Sequence, residues 1–98
     1  RQQLVCMTLE GQRGWASGRD HTFGLGPYVA APDGLLLLLN DTGTLTLARV
    51  GRDGFVPLAR HALMAVGGRD AWGPMVLADN RLYLRDSSRL FCLQVGAP

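Results

Sequence analysis

Three observations predict an all-β fold of short antiparallel strands. Turn signals recur at short intervals: Asp33-Gly34, Asp41-Thr42-Gly43 and Asp53-Gly54 each separate apolar segments. Asp and Gly tolerate the positive φ values that tight hairpins need. The run Leu35–Leu39 is apolar at every position, as in a strand covered on both faces; a strand with one wet face would alternate. Similar segments also return at intervals of about 40–50 residues, the period of four-stranded units stacked side by side.

The turns delimit strands over 28–31, 35–40, 44–50 and 55–63, a four-stranded antiparallel meander when taken in order. Within the third of these, Thr44-Leu45-Thr46-Leu47 alternates as a half-buried strand does. The stretch 57–67 (PLARHALMAVG) also fits a helix. It has Pro at the start, Gly at the stop and apolar residues at 58, 59, 62, 63 and 66, the last five on one helical face. The repeat favours an outer strand there instead.

The repeat is carried by LVCMTLEGQRGW (4–15), LTLARVGRDGF (45–55) and LFCLQVG (90–96). Leu4, Leu45 and Leu90 begin them, 41 and 45 residues apart, and Leu9, Val50 and Val95 follow at the same spacings. Gly11, Gly51 and Gly96 come next, and Trp15 and Phe55 each stand four residues after their Gly. A second element, GRDHTFGLGPYVAA (18–31), matches GRDAWGPMVLA (68–78), with Gly26-Pro27 and Gly73-Pro74 47 apart. Repeats of this length, each holding four short strands, predict β-propeller blades. A helical solenoid would read at helical period, and these segments do not.

These segments resemble the pyrroloquinoline-quinone-like (PQQ-like) propeller repeat. In that repeat a strand of the form Leu-x-x-Leu-x-x-x-x-Gly-x-x-x-Trp ends each blade unit. LVCMTLEGQRGW is similar to it, and ADNRLYLRDSSRLFCLQVG looks like the closing blade of such bacterial propellers. The resemblance spans nearly the whole chain. Phe55 departs from it by standing where Trp is expected, which implies different docking between blades at that point. The implied architecture is a β-propeller fragment of about two four-stranded antiparallel blades. Residues 1–17 would end one blade, 26–65 would form a complete one, and 73–95 would supply the first three strands of the last. The 98 residues fall short of the roughly 160 that a four-bladed ring needs. The start inside a repeat, without an initiator Met, predicts a cut N-terminus, and two blades with uncovered end faces should be marginal or prone to associate.

Composition narrows the function. The chain is 47% hydrophobic and 18% charged, which excludes a disordered tail. The longest apolar run is far short of the ~20 residues a membrane helix needs, so no membrane span is expected. Arg and Asp are interspersed (Arg19-Asp20, Arg52-Asp53, Arg69-Asp70, Arg85-Asp86). With no basic cluster interleaved with aromatic residues, nucleic acid is not an expected partner. All ten basic residues are Arg; codon usage in a GC-rich genome explains that better than guanidinium recognition. Cys6 and Cys92 form no CxxC motif, and His21 and His61 have no ligand at metal spacing. Both cysteines are expected to be reduced and packed as small apolar residues.

Two apparent motifs carry no chemistry. Phe23-Gly24-Leu25-Gly26-Pro27 begins like a dinucleotide loop, but Pro27 intrudes, Val29 holds the third Gly position and no helix follows. Asp20-His21 resembles a general-base pair without a nucleophile at suggestive spacing, and a turn with Asp20 as its cap accounts for it. The loops 18–25 and 67–72 are sharper candidates. Each leads into the innermost strand of a blade, at the mouth of the channel. Arg19, Asp20, His21, Arg69, Asp70 and Trp72 would gather there, suited to a peptide or a small polar ligand. A recurring Gly-Arg-Asp rim turn is the structural alternative.

The resemblance implies a non-catalytic scaffold for binding or assembly, outside the cytoplasm, with the remaining blades of the same propeller as its partners. The related quinone dehydrogenases need a calcium-binding acidic cluster, a catalytic Asp and often an adjacent Cys pair. This chain has one Glu and no adjacent Cys pair, so no cofactor is expected on it, and fold alone does not confer activity. The alternatives are a fragment of such a dehydrogenase, or a sensor propeller attached to an upstream catalytic domain.

Overall fold

The computed structural model describes residues 3–24, 27–63, 74–85 and 89–95. Among them the fold is all-β, with nine strands in antiparallel sheets of two, four and three strands. The first sheet pairs β1 (Val5–Met7) with β2 (Arg13–Ala16). The second runs in sequence order through β3 (Tyr28–Ala31), β4 (Leu35–Leu39), β5 (Thr44–Gly51) and β6 (Gly54–Ala62). The third joins β7 (Val76–Ala78), β8 (Arg81–Arg85) and β9 (Leu90–Gln94). The four-stranded sheet falls within 26–65, and the described residues close no ring. The stretch from Pro57 to Ala62 is strand rather than helix.

Turn chemistry sets the hairpins. Asp33 and Gly34 take φ of 65° and 75° in the three-residue connection that Pro32 opens, since Ala31 pairs with Leu35; Asp and Gly tolerate these values. Asp79 and Asn80 do the same between β7 and β8, at 52° and 61°. Between β5 and β6 the residues at the bend are Arg52 and Asp53, because Gly51 pairs with Gly54. That is one position earlier than an Asp53-Gly54 turn. Asn40 organises the β4–β5 turn: its Oδ1 accepts from the Thr42 and Thr44 amides and from the Thr42 hydroxyl at 2.9–3.0 Å, an Asx turn.

The sheets stack face to face. Leu37 and Leu39 of β4 and Leu45 of β5 pack against Met75, Leu82 and Leu84 on the third-sheet side. Leu36, Leu38 and Ala48 face the other way, onto Phe23, Leu4 and Phe55. Side chains alternate along a strand, so β4 contributes Leu37 and Leu39 to one core and Leu36 and Leu38 to the other, which accounts for its lack of polar alternation. Fully burying a leucine is worth about 1.5–3 kcal/mol; Leu39, Leu82 and Leu84 are less than 2% exposed.

Two sequence expectations fail for the same reason. The Thr-Leu alternation of β5 implies a wet face, yet Thr46 is 2% exposed. It pairs with Leu38 on the face that the first sheet covers. Cys92 was expected to be packed; it is exposed, and Cys6 is half-buried. Cys92 pairs with Tyr83, on the outward face of the third sheet, where no described residue lies over it. Both cysteines are free.

Candidate functional site

The loop between β2 and β3 is held by a small polar network. The Ser17 hydroxyl donates to the His21 carbonyl at 2.6 Å and accepts from the Leu4 amide at 3.0 Å. The Gly18 amide donates to Gln3 Oε1 at 2.9 Å, and the His21 amide to the Gly18 carbonyl at 3.2 Å. These bonds close a tight turn with Arg19 and Asp20 exposed at its apex. His21 turns inward. Its ring lies 5.6 Å from Phe55, and Nδ1 is buried with no hydrogen-bond partner among the described residues. Arg69, Asp70 and Trp72 lie outside the described residues.

His21 thus joins an aromatic cluster instead of facing solvent with Arg19 and Asp20. Phe55 is its centre, with Trp15 at 5.9 Å, His21 at 5.6 Å and Phe23 at 6.1 Å. Such tilted and edge-on contacts add roughly 0.5–1.5 kcal/mol each beyond area burial. The cluster seals the seam between the first two sheets. Trp15 and Phe55, which occupy matching places in the repeat, meet each other across it.

Beyond Phe23 the same loop reaches the β4–β5 turn. Gly24 has φ of 61°, and a Cβ there would collide with the Asp41 carboxylate. Thr22, Phe23 and Gly24 with Asn40, Asp41 and Thr42 line a notch of about 270 Å³. Its chemistry is hydrogen bonding by hydroxyls and one carboxylate. The sequence marks the 18–25 loop as a candidate and Asp41-Thr42-Gly43 only as a turn between strands. Antiparallel order carries the missing signal: the lead-in to β3 and the exit from β4 must lie at the same end of the sheet. Among the described residues no three His, Cys, Asp or Glu side chains gather as a metal set would.

A second concavity lies between the second and third sheets, with a volume of about 380 Å³. Leu37, Leu45, Leu47 and Ala59 line it from one sheet, Leu77 and Val95 from the other. Asp33, Arg60, His61 and Asn80 add polar groups to this mainly apolar lining. No family model, curated protein or solved structure matches the chain.

Proposed function

We propose that the chain is part of a PQQ-like β-propeller and serves as a non-catalytic scaffold for binding or assembly, in an extracytoplasmic setting. The observation that carries this reading is the stack itself. Strand β4 of the central sheet is buried on both faces, and the flanking sheets keep large apolar side chains on their outward faces. Val5 and Met7 are 38% and 58% exposed at one end, Val76 and Leu90 55% and 75% at the other. Sheets with two apolar faces are stable only between neighbours, so each end calls for a further sheet. The loop notch suits a peptide or small polar ligand better than a reaction. It offers hydrogen-bonding groups without a cluster of carboxylates.

The test is the absorbance spectrum of the full-length protein purified with added quinone and calcium. A spectrum without bound quinone is expected. Stoichiometric bound quinone would overturn the scaffold reading in favour of a quinone-dependent dehydrogenase.

A further inference from the structure

The notch beside the β4–β5 turn has a one-sided hydrogen-bonding inventory. The Thr42 and Thr44 amides donate to Asn40 Oδ1 at 3.0 and 2.9 Å, and the Gly43 amide donates to the Asn40 carbonyl at 3.1 Å. The Thr42 hydroxyl gives its proton to Asn40 Oδ1 as well, at 2.9 Å. A hydroxyl has one donor and two lone pairs, so Thr42 keeps acceptor capacity alone. Asp41 already makes a contact of its own. A carboxylate offers about four lone-pair sites, so it has room for a further donor.

The surroundings favour the same kind of ligand. An anion would need free amides or a basic side chain. Asn40 consumes three successive amides of the turn, and no Arg or His lines the notch among the described residues. Gly24 closes the notch from the loop side, so near the Asp41 carboxylate that a Cβ would collide with it. Partial enclosure of this kind strengthens a charged hydrogen bond. Phe23 adds an apolar wall. An alkylammonium brings three N–H donors and no acceptor, which complements this lining.

We propose that the notch binds a primary alkylammonium group. Its N–H groups donate to Asp41 and Thr42, and its methylene stem lies along Phe23. This rests on the reading of the notch as a site for a peptide or small polar ligand, and names the charged group that such a ligand carries. It depends neither on the quinone nor on the number of blades.

The probe is a fluorescein-labelled acetyl-Gly-Lys-Gly peptide, titrated into the full-length protein and followed by anisotropy. Saturable binding is expected, weakening as salt is raised. The same peptide acetylated on the lysine side chain should not bind. A labelled Gly-Gly-Gly peptide with a free amino terminus separates the sources of the ammonium. Its binding would extend the site to any primary amine, and its failure would narrow the site to lysine side chains; both uphold the proposal. Asp41→Asn should weaken binding of the lysine peptide by about tenfold or more, the worth of one charge-assisted hydrogen bond. Thr42→Val should weaken it independently, with the circular dichroism spectrum unchanged in both variants. Binding that survives acetylation or Asp41→Asn would overturn the ammonium. So would failure of the lysine peptide while methyl glucoside binds in equilibrium dialysis, which would leave the notch a polar-ligand site of another class. Binding of neither compound would remove both readings.

Discussion

The indole N–H of Trp15 donates to the carbonyl oxygen of Gly51 at 2.7 Å, joining the end of the first sheet to the last residue of β5, 36 positions along the chain. The ring then lies against Phe55. One side chain thereby supplies both a directional bond and an apolar contact across the seam.

Replacing Trp15 separates these contributions. Trp15→Phe keeps a ring and removes the donor, at a cost of about 0.5–1.5 kcal/mol. Trp15→Ala removes both and should cost more, about 2–3 kcal/mol for a half-buried ring, below the 3–5 kcal/mol of a fully buried one. Denaturant midpoints at constant m-value measure the difference. Equal losses would show that the hydrogen bond carries all of the effect.

Gly24→Ala is expected to destabilise the chain by more than about 1 kcal/mol, since alanine is disfavoured at positive φ and its Cβ would meet Asp41. Combining it with Asp41→Ala should recover the steric part and leave the backbone part. The coupling energy of the double-mutant cycle reports this; strict additivity would remove the contact from the account.

The central leucines should be the most sensitive positions. Leu39→Ala and Leu82→Ala, on opposite sides of one interface, are each expected to cost about 2–5 kcal/mol. Because both line one core, their combined loss should depart from the sum. A loss below 1 kcal/mol at either position would contradict the stacked arrangement.

The thiols should differ in reactivity. Exposed Cys92 should label with a maleimide in the native protein faster than half-buried Cys6, and denaturant should remove the difference. Equal native rates, or faster labelling of Cys6, would place the outward face of the third sheet elsewhere.

The uncovered outward faces should make the isolated chain associate. Its melting midpoint should rise with protein concentration, as for any fold stabilised by self-association, and Leu90→Asp should reduce that dependence. A sharp, reversible transition independent of concentration would refute the idea that these faces seek a neighbour.

The sequence made the strands legible where local chemistry decides them. The Asp33-Gly34 turn and the two apolar faces of Leu35–Leu39 could be read directly. Thr46 could not: alternation reports polarity, and a neighbouring sheet, invisible from β5 alone, decides burial. The approach of Gly24 to Asp41 was hidden for the same reason, since it joins two turns far apart in sequence. Cys92 has an apolar-looking context, LFCLQ, yet sits on the uncovered face. Of the six residues expected to gather at one mouth, His21 turned into the aromatic seam because Phe55 lies in reach, while Arg19 and Asp20 stayed at the turn apex.

The five consecutive leucines of β4 have a further consequence. A slip of one residue normally moves apolar side chains from core to solvent, and that penalty fixes the pairing. In β4 a slip exchanges leucine for leucine at all but one end position, where Gly34 or Asn40 would enter, so the strand interior is degenerate with respect to its own alignment. What breaks the degeneracy lies at its two ends: the positive-φ pair Asp33 and Gly34, and the Asn40 side chain with its three acceptor contacts. These polar turns, rather than the leucines, determine which leucine each neighbouring sheet receives.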